Sequence, residues 1–165
     1  LYQKLWRTCF SILIFIFFMV NVFVYGTLMF PAILFALTDK KFKMEEVVLH
    51  GFKRHSIFDN GEYKRYPAII KKENSQVKGK LLFDVDDESM SILDFFEDDS
   101  YYREIVEVLK GDEKVSAFVY IWKPELKEKL KEDWDPEEFK KFHLTDYVNK
   151  VIPEDLKEYN KNNKK

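Results

Sequence analysis

The chain of 165 residues holds one cysteine, Cys9, and that scarcity removes whole classes of chemistry. A single thiol closes no internal disulfide and builds no Cys-based metal site. The three histidines, His50, His55 and His143, are scattered, with no HExxH or similar ligand spacing, so no catalytic metal is expected. There is no GxSxG elbow to present a serine nucleophile. No GxGxxG occurs, and GKLLF lacks a phosphate-loop spacing, so no nucleotide or other cofactor is expected. Neither sign of charge dominates: 27 Lys and Arg against 29 Asp and Glu leave a formal −2. The cations do not form a stripe alternating with exposed aromatics, which argues against nucleic acid as a partner. Glycine and proline are also few, at five each, and no internal repeat is found. What remains for chemistry is carboxylates and backbone groups.

What the chain does have is grease. It carries 16 Phe and 9 Tyr, ample for the core of one domain at this length. The longest apolar block runs from Cys9 to Val20, behind the cations Lys4 and Arg7, in the pattern of a signal or anchor segment. If Asn21 to Tyr25 belongs to a strand, about twelve residues remain, fewer than the ~20 a membrane-spanning helix needs. If the whole run to Phe30 is one helix, the length suffices. No small-x-small cleavage site follows. Two readings of residues 1–18 therefore stay open, a hydrophobic anchor or an extension upstream of Met19. A membrane partner is expected only through residues 1–20; without it the chain is expected to be cytoplasmic.

From Val22 onward the pattern changes to short alternating segments. VFVY predicts a buried strand ended by Gly26, and Pro31 opens a short helix through AILFALT. EVVLHGFKRHSI, YPAIIKK and KGKLLFDV predict three further strands, and the acidic DDES caps a helix through SMSILDFF. YYREIVEVL and KVSAFVYIW predict a hairpin turning at Lys110-Gly111-Asp112. DPEEFKKFHLTDYVNK predicts a helix capped by Asp135, with Pro136 first and Phe139, Phe142, His143 and Val148 on an inward stripe. The closing EYNKNNKK is polar and is expected to fray. The order predicts an α+β fold, a mixed sheet curling into a small β-barrel with flanking helices. The domain is expected to span residues 19–152, with a polar tail over 153–165.

Two segments join apolar flanks to reactive groups. In Val24-Tyr25-Gly26-Thr27-Leu28 a strand ends in a glycine turn whose N–H groups could face a carboxylate or oxyanion. In Leu93-Asp94-Phe95-Phe96-Glu97 a carboxylate follows an apolar pair, and burial would raise its pKa toward the range of a general base. Taken singly, the first also fits an ordinary turn and the second a solvated helix end.

The order of motifs adds to this. The YGTL turn, LHGFKRH, YPAI, VKGKLL, LDFFE with a Tyr and an Arg after it, YIW and WDPEEFKKFHL together resemble the gamma-glutamylcyclotransferase-like family. The likeness is to its plant avirulence-induced-gene and gamma-glutamylamine cyclotransferase branch, and runs from about Val22 to about Val151. The resemblance implies a small-molecule gamma-glutamyl substrate bound at the loop of Val22, Phe23, Val24, Tyr25, Gly26, Thr27 and Leu28, through main-chain groups around Tyr25, Gly26 and Thr27. It implies that Glu97 is the catalytic acid/base, that Tyr101 lines the pocket, and that no metal takes part. The implied reaction is intramolecular acyl transfer that releases 5-oxoproline. Where the family has glycine after the glutamate, this chain has Asp98. Arg103 is expected to pair with a nearby acid such as Asp99, while Tyr120, Trp122, Trp134 and His143 are expected to be packing residues.

Overall fold

The computed structural model describes residues 19–163, so the expectations for residues 1–18 lie outside it. The strands are β1 (Val20–Val24), β2 (Met44–Asp59), β3 (Glu62–Val85), β4 (Tyr101–Lys110) and β5 (Glu113–Trp122). They close a barrel in the order β1-β3-β2-β4-β5. β1 lies parallel to β5, and the other neighbours are antiparallel, which gives the mixed sheet predicted from the element order. Helix α1 (Pro31–Thr38) follows β1, α2 (Asp87–Glu97) joins β3 to β4, and α3 (Pro136–Phe142), α4 (Leu144–Asp146) and α5 (Ile152–Asn163) end the chain.

Alternation along the strands divides the core in two. Phe23, Leu49, Ile69, Leu81, Val108, Val119 and Ile121 belong to a cluster made of strand residues and Tyr25, which fills the barrel. Their neighbours Val22, Val24, Leu82, Tyr120 and Trp122 join Ile33, Leu93, Phe139 and Ile152 in a second cluster, where the helices cover the outer face. β1 is buried on both faces because every residue but Asn21 is apolar.

Three elements differ from the sequence reading. YPAIIKK and KGKLLFDV are one strand, β3, because the chain bulges instead of turning. Register passes from His50↔Gln76 to Phe52↔Lys71, so that Gly51 alone stands against Lys72 to Ser75. Gly51 (φ 78°) and Asn74 (φ 55°) take the left-handed conformations that this bulge needs. The last helix breaks at His143 (φ −125°), passes through a π-helical stretch at Tyr147–Val151 and continues to Asn163. Of the segment expected to fray, the described residues stay helical to Asn163: the Tyr159 ring packs edge-on against Phe95, and its hydroxyl lies 3.0 Å from Ser91 Oγ. Finally, Phe142 is 63% exposed, not inward, because α3 ends there and its buried stripe is centred on Phe139.

The caps follow the sequence closely. Asp86 accepts from Ser89 N–H at the start of α2, and Asp135 accepts from Glu137 N–H at the start of α3, where Pro136 takes the first turn. Among the described residues, no helix is long and apolar enough to cross a membrane, and no group of His, Cys, Asp and Glu is arranged to hold a metal.

Candidate active site

β1 ends at Val24, and the chain turns at once through Gly26 into a single 3₁₀ turn, Thr27–Met29. The turn is closed by Met29 N–H to Gly26 O (3.0 Å) and Phe30 N–H to Thr27 O (3.2 Å). Gly26 has an ordinary negative φ of −125°, so conformational freedom is not its role. A Cβ there would lie 2.7 Å from Cδ and Cγ of Pro67, so only glycine lets β3 come this close. The N–H groups of Thr27 and Leu28 meet no acceptor among the described residues, although both residues are buried. Buried backbone donors without partners are rare in folded proteins, and at a turn they suit an anionic oxygen.

Two cations fix the ends of the turn from behind. Arg54 Nη1 donates to Tyr25 O at 3.1 Å, and Lys80 Nζ donates to Met29 O at 3.2 Å. Arg54 also pairs with Asp133 (3.3 Å) and lies over the Trp134 ring. These attachments engage the carbonyls at the two ends of the turn, while Thr27 and Leu28 between them line the cleft.

α2 delivers Glu97 to the same place. Its N-terminus is pinned by Asp86, which also pairs with Lys40 at 2.8 Å, and Met90 and Leu93 bury its inner face. Glu97 is the last residue of this helix. The residue keeps part of its surface, but the carboxyl itself is crowded by protein, and burial first, then the charge of Asp98, pushes its pKa up to about 8. No donor among the described residues hydrogen-bonds this carboxyl, which would otherwise draw the value down. Its charge in turn helps to raise the pKa of Tyr25, Tyr66, Tyr101, Tyr120 and Tyr147, which burial already raises.

The cleft between these elements is lined by Phe23, Val24, Tyr25, Gly26, Thr27, Leu28, Tyr66, Pro67, Glu97 and Tyr120. The structure therefore brings Glu97 and the turn to one cleft. Val22 is fully buried among the helices and does not line the cleft. Tyr101 stands just behind the wall, where its hydroxyl donates to Pro67 O (2.9 Å) and its ring packs edge-on against Trp122. Tyr66, Pro67 and Tyr120 line the cleft and escaped the sequence reading. YPAI and YIW were visible as motifs, but strand periodicity alone does not tell a core tyrosine from a pocket one. Tyr120 is tied on both sides, its carbonyl accepting from Tyr25 and its hydroxyl donating to Asp94 (2.7 Å). Arg103 Nη1 donates to both oxygens of Asp94 at 3.0 Å, so its acidic partner is Asp94 and not Asp99.

The cavity measures only about 20 Å³, room for one water. A larger occupant must displace lining side chains, and Tyr66, half-buried, is the lining aromatic with the least covering. Chemically, the cleft offers an unpaired carboxyl that titrates near neutrality, facing space walled by unpaired backbone donors.

Comparison with known proteins agrees with this architecture. The chain is 36% identical to AIG2-like protein D of Arabidopsis thaliana over 143 residues, which is 85% of this chain and 91% of that one. A solution structure from Arabidopsis thaliana superposes with a TM-score of 0.57 at 30% identity, covering 87% of this chain and 85% of that one. A structure titled gamma-glutamyl cyclotransferase shares the fold with a TM-score of 0.55 at 14% identity, over 63% of this chain and 66% of its own. The profile of the family described as "Gamma-glutamyl cyclotransferase, AIG2-like" matches residues 22–139, the barrel and the start of the final helices, and the chain belongs to that family.

Proposed function

We propose that the protein is a gamma-glutamylcyclotransferase that converts a gamma-glutamyl amine or peptide into 5-oxoproline and the free amine, with Glu97 as general acid/base. One observation carries this reading: an unpaired carboxyl with a pKa near 8 shares a cleft with the unpaired N–H groups of Thr27 and Leu28.

The chemistry needs little more. A substrate α-ammonium is no nucleophile until it loses a proton, and its neighbouring free α-carboxylate holds that proton more tightly than a peptide N-terminus does. Raising the Glu97 pKa to about 8 brings it far closer to that amine than an ordinary carboxylate, so the transfer between them is less uphill. The freed lone pair attacks the γ-carbonyl carbon, forming the ring C–N bond and an oxyanion. The N–H groups of Thr27 and Leu28 stabilise that charge without reorganising. The protonated Glu97 then gives its proton to the departing nitrogen as the old C–N bond breaks, and the extra proton left on the ring nitrogen by the attack passes to the regenerated carboxylate and on to the released amine. Both steps are intramolecular in the bound substrate, so positioning by a fixed turn supplies much of the acceleration. The cation ties to Tyr25 O and Met29 O keep that turn in place.

A second reading rests on Asp98 and the narrow cavity: the cleft holds a metabolite or partner without turning it over. The full chain incubated with a panel of gamma-glutamyl amines and dipeptides, with 5-oxoproline measured, separates the two. Product that Glu97→Gln abolishes supports the enzyme; no product from any compound, or undiminished product from Glu97→Gln, overturns it.

A further inference from the structure

A second depression, of about 410 Å³, lies beside the β3 bulge and shares no lining residue with the Glu97 cleft. It is lined by Lys53, Arg54, Lys72, Ser75, Gln76, Val77, Lys78 and Asp133. Four cations therefore face one carboxylate, in a chain whose formal net charge is −2. Twelve ion pairs neutralise much of the charge on the described surface, yet none includes Lys53, Lys72 or Lys78. Asp133 is already engaged, by Arg54. The bulge opposite Gly51 brings Lys72 and Ser75 to this depression, and regular pairing resumes at Gln76, two residues before Lys78, which pairs with Val48 and lines it too. A concave site lined by three lysines without a paired carboxylate raises the local concentration of anions.

We propose that this depression is a binding site for a compact phosphate-bearing anion of the di- or triphosphate class. Lysine ammoniums bind phosphate as point charges, and Arg54, whose Nε and Nη1 are taken by Asp133 and Tyr25 O, adds its charge. Ser75 and Gln76 offer neutral donors beside them. Monovalent anions gain too little from three separated lysines, whereas a diphosphate spans them with its several charges. Arg54 belongs to this site and also donates to Tyr25 O at the Gly26 turn, so the site abuts the turn from behind.

The test uses inorganic pyrophosphate titrated calorimetrically into the full chain, with ionic strength held constant by sodium chloride. Saturable one-to-one binding is expected. The Lys72→Gln/Lys78→Gln double variant should bind at least about tenfold more weakly, a loss of ~1.4 kcal/mol. Both side chains are exposed, and circular dichroism melts should show the fold retained. Glu97→Gln should bind pyrophosphate like the parent, which separates this site from the catalytic proposal. No saturable heat, or an unchanged affinity in the double lysine variant, overturns the assignment. So does sodium sulfate at equal ionic strength binding as tightly as pyrophosphate.

Discussion

The ring of Pro67 occupies the place where a Cβ on Gly26 would stand: two of its carbons lie 2.7 Å from that position. This contact sets how close β3 comes to the turn after β1. Alanine at Gly26 therefore overpacks a buried junction, at a cost of about 1–3 kcal/mol. Thermal melts of Gly26→Ala should fall by several degrees, since ~1 kcal/mol moves Tm by roughly 2–4 °C at this size. Trimming the ring should relieve it: Gly26→Ala should cost less in a Pro67→Ala background than alone. Equal costs in both backgrounds would show that the contact is not the constraint.

Glu97→Gln joins function to stability. On the proposed mechanism it removes the proton carrier, and kcat should fall by about 10²–10⁴. Stability should move the other way. The folded pKa of Glu97, about 8, is above its ordinary value of 4.5, so folding favours the protonated form. Its contribution is fully present below pH 4.5 and is lost as pH rises through about 8. Glutamine, always neutral, should thus be more stable than the parent at pH 8, by on the order of 3 kcal/mol, and equally stable near pH 4. Denaturant titrations at the two pH values measure this difference. A parent and variant of equal stability at pH 8 would mean that the carboxyl is solvated.

Asp98 combines a charge with an awkward backbone. Its φ of 58° and ψ of −172° fall in a region that suits glycine almost alone, at a strain of about 1–3 kcal/mol. Its carboxylate partly offsets this by accepting from Ser100 N–H, a bond worth roughly 0.5–1.5 kcal/mol. Asp98→Gly should leave stability level or slightly improved. It should also remove a charge that raises the Glu97 pKa, so the rising limb of activity against pH should shift to lower pH. A limb that does not move would show that burial alone sets the value.

The turn and the glutamate were legible in the sequence because each is local: a strand ending in glycine, and a helix ending in an acid behind two phenylalanines. Their meeting was legible only through the order of the motifs. What stayed hidden depends on partners far along the chain. Arg54 alternates like any strand residue, and nothing near it in sequence announces Tyr25 O as its acceptor. Gly26 looked like a turn glycine, yet the reason for it sits at Pro67. The joining of two strands into β3 was missed because KKENSQ reads as a turn, while Gly51 across the ladder absorbs it as a bulge. The break at His143 has no proline or glycine to mark it and comes from tertiary fit around Phe139 and Tyr147.

The other end of the glutamate's helix offers a test that needs no substrate. Asp86 caps α2 through Ser89 N–H and pairs with Lys40, and these contacts hold its pKa down at about 2. A depressed carboxylate contributes stability above its ordinary value of 3.8, and the contribution is lost as pH falls through about 2. The side chain is 38% exposed, so the ion pair itself is well screened and the cap should dominate. Asp86→Ala should cost ~1 kcal/mol at pH 7. The cost should shrink as pH drops from 4 toward 2, where the parent loses the same interaction. Asp86→Asn keeps the cap without the charge and should recover most of the loss at pH 7. If asparagine recovers nothing, the Lys40 pair and not the cap anchors the helix that presents Glu97.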